Sequence, residues 1–440
     1  MPPLSKLCRI SSMKLLVRLF LTVSVFTFTN SALFANDWPS WRGPTGDGKL
    51  PESATYPIKW SPTENLRWEI ELPAPGNSSP IVIADRLFLT LSEDEGHQRS
   101  LLCFDTNDGR QLWKKTVKFE GDEVTHRTNP WSAASPVSDG TSVYAWHGNA
   151  GLYAYDLSGT ELWHRNLGSS YAHQWGPNAA SPVLHEDNII VHAGPGTEAA
   201  LFCLDRKTGT TVWEQVLTDA QSETLKEFKG SWVTPFIFDN NGRTEMLIGL
   251  PQSLRSFDPA TGKEWWRCQG LSDLCYTNAM VGASHAIYLS GYGGPGLGLT
   301  LPDANTTGDV TESHRLWLVG GKGSKKKVNP QRIGSGQIVG EYLYLLNEPG
   351  AAECIEVATG ETQWKERLGR TSWSSMNYVR GHLYVNDQSG TTFVIEPDSA
   401  SMKVIATNPL ASNQHTNSSP AFSGGAIYLR TESSLYSIGK

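Results

Sequence analysis

The sequence predicts an all-β fold: an eight-bladed β-propeller of four-stranded antiparallel blades, closed by an N-terminal strand that pairs with the C-terminal blade. Three observations carry the prediction. A turn followed by a tryptophan strand recurs about every fifty residues. Eight small-polar strand starts accompany it. The last unit lacks its final strand, while an orphan tryptophan strand stands near the beginning.

Composition agrees. The 440 residues include 42 Gly, 25 Pro, 16 Trp, 14 Tyr and 14 Phe, with only 18% charged. Aromatic and β-branched side chains suit a pleated, half-buried surface, and Gly and Pro supply its many turns. The net charge of −7 argues against a nucleic-acid surface. The basic run Lys325–Lys327 reads as a solvated loop.

Residues 1–35 read as a signal peptide: Lys14 and Arg18 precede the apolar stretch Leu19–Phe28, and small residues follow at Ser31, Ala32 and Ala35. That stretch is too short to span a bilayer, and no later run is long enough. The mature chain is therefore expected to be exported and soluble, in the periplasm or cell envelope. Residues 36–64 form an aromatic, proline-rich extension, with Trp38, Trp41 and Pro44, expected to pack on the propeller.

Residues 65–440 hold the repeat. Asp105, Gly109 and Trp113 return as Asp156, Gly159 and Trp163, then as Asp205, Gly209 and Trp213, then as Asp258, Gly262 and Trp266. Gly360 and Trp364 mark another copy, and the stretch from Gly308 to Trp317 a distorted one. Aspartate bonds the backbone two residues on and glycine accepts positive φ, so each copy is a hairpin turn between a third strand (C) and a fourth (D) that carries the tryptophan. Two shorter strands, A and B, precede it. Such a meander cannot bury both faces alone, and radial stacking solves that.

Strand-A starts fall at Ser79, Ser135, Ser181, Thr234, Asn278, Ser335, Ser375 and Ser419. The final unit stops at its third strand near Tyr436, whereas Trp68 sits on an early strand without partners. Pairing the two completes the eighth blade and leaves no open edge. Cys103, Cys203 and Cys354 share one strand position and read as small core residues. Cys268 and Cys275 are near enough in sequence to form a disulfide after export, and pairing and free thiols both stay open.

This repeat resembles the pyrroloquinoline quinone (PQQ)-like repeat of quinoprotein alcohol dehydrogenases and of the outer-membrane assembly lipoprotein BamB, over nearly the whole mature chain. The resemblance implies the propeller, but the scaffold hosts both an enzyme and a partner-binding protein. The enzymes place a disulfide between adjacent cysteines over the cofactor and hold Ca²⁺ with a Glu/Asn/Asp set beside a catalytic Asp. This chain has no Cys-Cys pair, no residue-by-residue match to that set and no Cys-x-x-Cys-His haem motif. BamB carries a lipidated cysteine at its mature N-terminus, and no cysteine lies between Leu19 and Trp68 here. The expectation is a binding or scaffold protein of the cell envelope. The alternative is a divergent quinoprotein oxidoreductase acting on an alcohol or sugar, with PQQ as the implied cofactor.

In a propeller the D–A and B–C loops share one face. The D–A loops carry His126, Asn129, Trp131, His173, Trp175, Asn178, Trp232, Tyr276, Arg332, Trp373 and His415, and a B–C turn carries His147 and Asn149. Aromatic faces interleaved with His, Asn and Arg suit a flat polar ligand, a glycan or a protein partner at the propeller mouth. The spacing gives no metal signature, although His126, His147 and His173 come from adjacent blades. Gly293–Gly296 reads as a turn rather than a phosphate loop, because no helix follows it. No catalytic residue follows from the sequence, nor an oligomeric state.

Overall fold

The computed structural model describes residues 37–50, 55–168, 172–224, 226–291, 296–320, 332–410 and 414–440. The signal-peptide reading, the Lys325–Lys327 run and most of the turn at 292–296 lie outside them. Eight small antiparallel sheets follow one another around a central axis. Blade 1 is Ile81–Ile83, Arg86–Glu93, Gln98–Asp105 and Gln111–Lys118, as strands A to D. The pattern repeats to blade 8, whose strands Ala421–Ser423, Ala426–Arg430 and Ser434–Ile438 take Leu66–Glu71 as strand D. Trp68 stands opposite Ser437 in that pairing, and Glu69 opposite Tyr436.

Local chemistry explains the repeat. Across each C–D ladder the tryptophan faces a small residue: Cys103 for Trp113, Ala154 for Trp163, Cys203 for Trp213, Ser256 for Trp266, Gly298 for Trp317 and Cys354 for Trp364. A β-bulge just before the tryptophan turns one residue outward, which is why Leu162, Val212 and Leu316 are exposed. The indole then reaches the next blade. Trp68, Trp113, Trp163, Trp213, Trp317 and Trp364 each donate Nε1–H to a carbonyl in or beside the neighbouring C–D turn, at Thr106, Leu157, Arg206, Pro259, Val357 and Asp398. The turn glycine lies against the arriving ring. At Gly209, with φ of +70°, a Cβ would stand 2.7 Å from Trp163.

Two blades depart from the pattern. The stretch from Gly308 to Trp317 is not a hairpin copy: Gly308–Asp309 pairs in parallel with Trp266–Arg267 of blade 4, and a single helical turn, Thr311–His314, returns the chain to blade 5. Trp266 is therefore covered by its own sheet and donates to the buried carboxylate of Glu245 at 2.8 Å. Blade 7 has Ala406 at the tryptophan position, and Trp60 from the preceding segment shares its core cluster.

The strand-A starts have a second use. Backbone N–H groups donate to hydroxyls one blade on: Ser79 to Ser135, Ser135 to Ser181, Ser181 to Thr234, Asn278 to Ser335, Ser335 to Ser375, Ser375 to Ser419, and Ser419 back to Ser79, at 2.8 to 3.1 Å. This girdle surrounds the axis except between blades 4 and 5. There, parallel pairings of Gly230–Ser231 with Leu274–Cys275 and of Gly308–Asp309 with blade 4 join the blades instead.

Residues 37–50 run from blade to blade across the ring. Trp38 bridges Val82 of blade 1, the Pro39 carbonyl accepts from Ser138 N–H of blade 2, and Lys49–Leu50 pairs with Tyr378–Val379 of blade 7. Arg42 is buried and donates to the carbonyls of Gly336 and Met376. All five described cysteines are free and buried, so Cys268 and Cys275 are core thiols rather than a disulfide. Burial pushes the Cys268 thiol up to about 11 and that of Cys275 to about 12, so neither is a ready nucleophile.

Candidate ligand-binding site

A cavity of about 610 Å³ opens where the D–A loops surround the axis. Of the thirteen residues expected there, His126, Asn129, Trp175, Trp232, Tyr276 and Trp373 line it. Their placement follows from hydrogen bonds. Trp232 Nε1–H donates to the Pro177 carbonyl at 3.2 Å and Trp373 Nε1–H to Glu348 at 2.6 Å, which tethers both indoles in the wall. Tyr276 packs on Trp232 with centroids 5.2 Å apart. Asn129 Nδ2 donates to the carbonyls of Trp175 and Pro177, joining the loops of two blades. His126 shares a 2.7 Å hydrogen bond with Thr128 and meets the edge of Trp175 at 5.3 Å. Desolvation, with Arg127 adding repulsion, lowers the His126 pKa.

The other seven do not line the cavity. His147 is fully buried, its pKa driven down to about 3 by desolvation and then by Arg99. The Arg99–Glu123 ion pair, 2.5 Å long and 1% exposed on each side, lies against this corner. Trp131 donates to the Glu123 carbonyl, and Asn149 backbone bonds the Glu123 carboxylate. His173 bonds the Glu227 carbonyl and meets Trp232 edge-on at 5.3 Å, so it props a lining ring. Asn178 joins the His192 carbonyl to the Ala180 N–H. Arg332 pairs with Glu353 at 3.1 Å under cover, and His415 pairs with Glu432 at 3.0 Å. His126, His147 and His173 therefore sit in separate surroundings. Among the described residues no cluster of three or more His, Cys, Asp or Glu could hold a metal ion.

Other groups line the cavity beyond the thirteen singled out from the sequence, and Arg127, Thr128 and Asn417 among them lie in the expected D–A loops. Asn77, Arg127, Thr128, Phe228 and Asn417 face the cavity, as do the girdle residues Ser79, Ser135, Ser181, Thr234, Ser375 and Ser419. The serines were visible as a recurring strand start, and that recurrence was their signal. Phe228 lies outside the repeat register and gave none. Trp41 also lines the cavity, and it lines a second one of about 760 Å³ formed with the A–B side of blades 2 to 4. Among the described lining residues of the axial cavity there is no Asp, Glu or Cys, and Arg127 is the one Lys or Arg.

Comparison with known proteins adds relatives. Over 291 residues the chain is 24% identical to a polyvinylalcohol dehydrogenase of Sphingopyxis sp. (strain 113P3), a match covering 57% of this chain and 42% of that protein. The chain thus spans less than half the length of this relative. BamB from Moraxella catarrhalis superposes with a TM-score of 0.57 at 14% identity, covering 85% of this chain and 99% of that one. A europium-containing methanol dehydrogenase gives 0.62 at 11% identity, with 92% and 98% covered. Quinohemoprotein alcohol dehydrogenase from Comamonas testosteroni gives 0.60 at 12%, with 93% and 81% covered. At such identities the structures share the fold. No described helix is long and apolar enough to cross a membrane. A family profile described as outer membrane protein assembly factor BamB matches residues 58–227 and 148–298, together more than half of the sequence, and the chain belongs to that PQQ-repeat family.

Proposed function

We propose that this chain is an exported binding protein of the cell envelope that takes its ligand or partner at the D–A face, with the axial cavity as the central subsite. One observation carries the reading: six aromatic side chains line the cavity, among described residues that include no carboxylate and no thiol. Rings with neutral amides and hydroxyls bind and orient a flat polar group, whereas metal chemistry draws on carboxylates or thiols, and the described lining residues include neither. The one histidine on the wall, His126, is held toward its neutral form.

The polyvinylalcohol dehydrogenase relative favours a second reading, a quinoprotein oxidoreductase. The described cavity residues do not fit a metal-bound PQQ centre. A hard cation such as Ca²⁺ takes oxygen ligands, carboxylates prominent among them. Incubating the purified mature protein with PQQ and Ca²⁺, then assaying dye-linked oxidation of primary alcohols and polyvinyl alcohol, separates the readings. A binding protein gives no turnover; sustained turnover at stoichiometric PQQ would overturn the proposal.

A further inference from the structure

We propose that the axial cavity binds a saccharide that carries a carboxylate, a hexuronate-type sugar acid, without a metal ion. The inference deepens the binding-protein reading and rests on it.

Charge comes first. Arg127 is exposed at the rim and is the one fixed charge among the described lining residues, with no Asp or Glu to oppose it. The chain as a whole carries a net charge of −7, so a cation at the mouth stands out against its background. A ligand with one negative charge complements such a site. The guanidinium fork suits a carboxylate, which it grips with paired N–H donors.

The floor and walls then choose the kind of carboxylate. The hydroxyls of Ser79, Ser135, Ser181, Thr234, Ser375 and Ser419 each accept a backbone N–H from the blade before. With that N–H on the oxygen, the hydroxyl proton is left to donate into the cavity. Asn77 and Asn417 are tied to each other at 3.3 Å and keep further amide capacity. A polyhydroxylated ring offers partners to this array, while a bare aromatic acid would bury it unanswered. Trp175 and Phe228, both lining the cavity and both exposed, supply apolar ring surface for the C–H side of a sugar ring. About 610 Å³ also falls inside the usual range for a small-ligand site.

The test uses the purified mature protein in EDTA, with calorimetry and tryptophan fluorescence against three probes: a glucuronate oligosaccharide, a glucose oligosaccharide of equal length, and benzoate. The acidic saccharide binds, and its neutral counterpart binds about tenfold more weakly. Arg127→Gln erases that gap without changing the melting temperature, and Arg127→Lys restores part of it. Equal affinity for both saccharides, binding of benzoate alone, or a requirement for Ca²⁺ overturns the sugar-acid assignment and leaves a binding cavity in place. Failure of all three probes to bind with or without Ca²⁺ removes the sugar-acid assignment alone; the binding-protein reading beneath it falls only to sustained PQQ-dependent turnover in the assay above.

Discussion

Two imidazoles are buried without charge, His147 with its pKa near 3 and His192 with its pKa near 4, both chiefly by desolvation. His192 donates Nδ1–H to the Val233 carbonyl at 2.8 Å, and His147 lies beside the Arg99 guanidinium, which opposes a second positive charge. Both folded values lie below the unfolded one, so the unfolded chain binds more protons in the interval between them. Stability is whole above pH about 6.5 and is lost as pH falls toward the folded values, at about 1.4 kcal/mol per pH unit for each group. Chemical unfolding between pH 7 and pH 5 should show this slope, flattened by that amount in His147→Asn and again in His192→Asn; an unchanged slope contradicts it. The same residues mark what the sequence left hidden. That His, Trp and Asn crowd the D–A loops was legible, but which of them point inward was not. His147 is buried beside Arg99, His173 bonds the Glu227 carbonyl, Arg332 pairs with Glu353 and His415 with Glu432. Each partner is remote in sequence or set by tertiary packing.

Blade docking is a contact between a tryptophan and a glycine. At Gly209 two demands coincide: a φ of +70°, and no room for a Cβ against Trp163. At Gly242 φ is +89° with nothing within 4 Å, so only the first applies. Gly242→Ala should therefore cost about 1 kcal/mol, the usual charge for a left-handed alanine. Gly209→Ala should cost about 2–4 kcal/mol, because overpacking adds to that strain. Denaturant midpoints of the two variants measure the difference, and equal losses would contradict the docking account. This element was readable because its constraints are local and repeat in register. The exceptions were not: the parallel strand Gly308–Asp309 and the use of Trp60 beside Ala406 depend on contacts outside the repeat.

At the scale of the whole molecule, the ring is held at its rim by tryptophans and at its axis by the hydroxyl girdle. Ser419 is a link in the girdle, accepting from Ser375 N–H at 2.9 Å while its own N–H reaches Ser79. Ser419→Ala leaves a buried N–H without its acceptor and should cost about 1–3 kcal/mol, read from the thermal or denaturant midpoint. The girdle also shapes the cavity, since six of the seven hydroxyls that join the blades line it, Ser335 being the exception. Fold and site are in this sense one construction, with Trp41 from the N-terminal segment standing between the axial cavity and the second one.

The central claim is that ligand enters at the D–A face. Hydrogen–deuterium exchange of the mature protein, with and without a mixture of acidic and neutral oligosaccharides, tests it most directly. Protection is predicted in peptides containing His126–Asn129, Trp175, Trp232 and Trp373, with the C–D turns at Gly109, Gly159 and Gly209 unchanged. Protection confined to those turns, or spread evenly around the ring, would contradict the account.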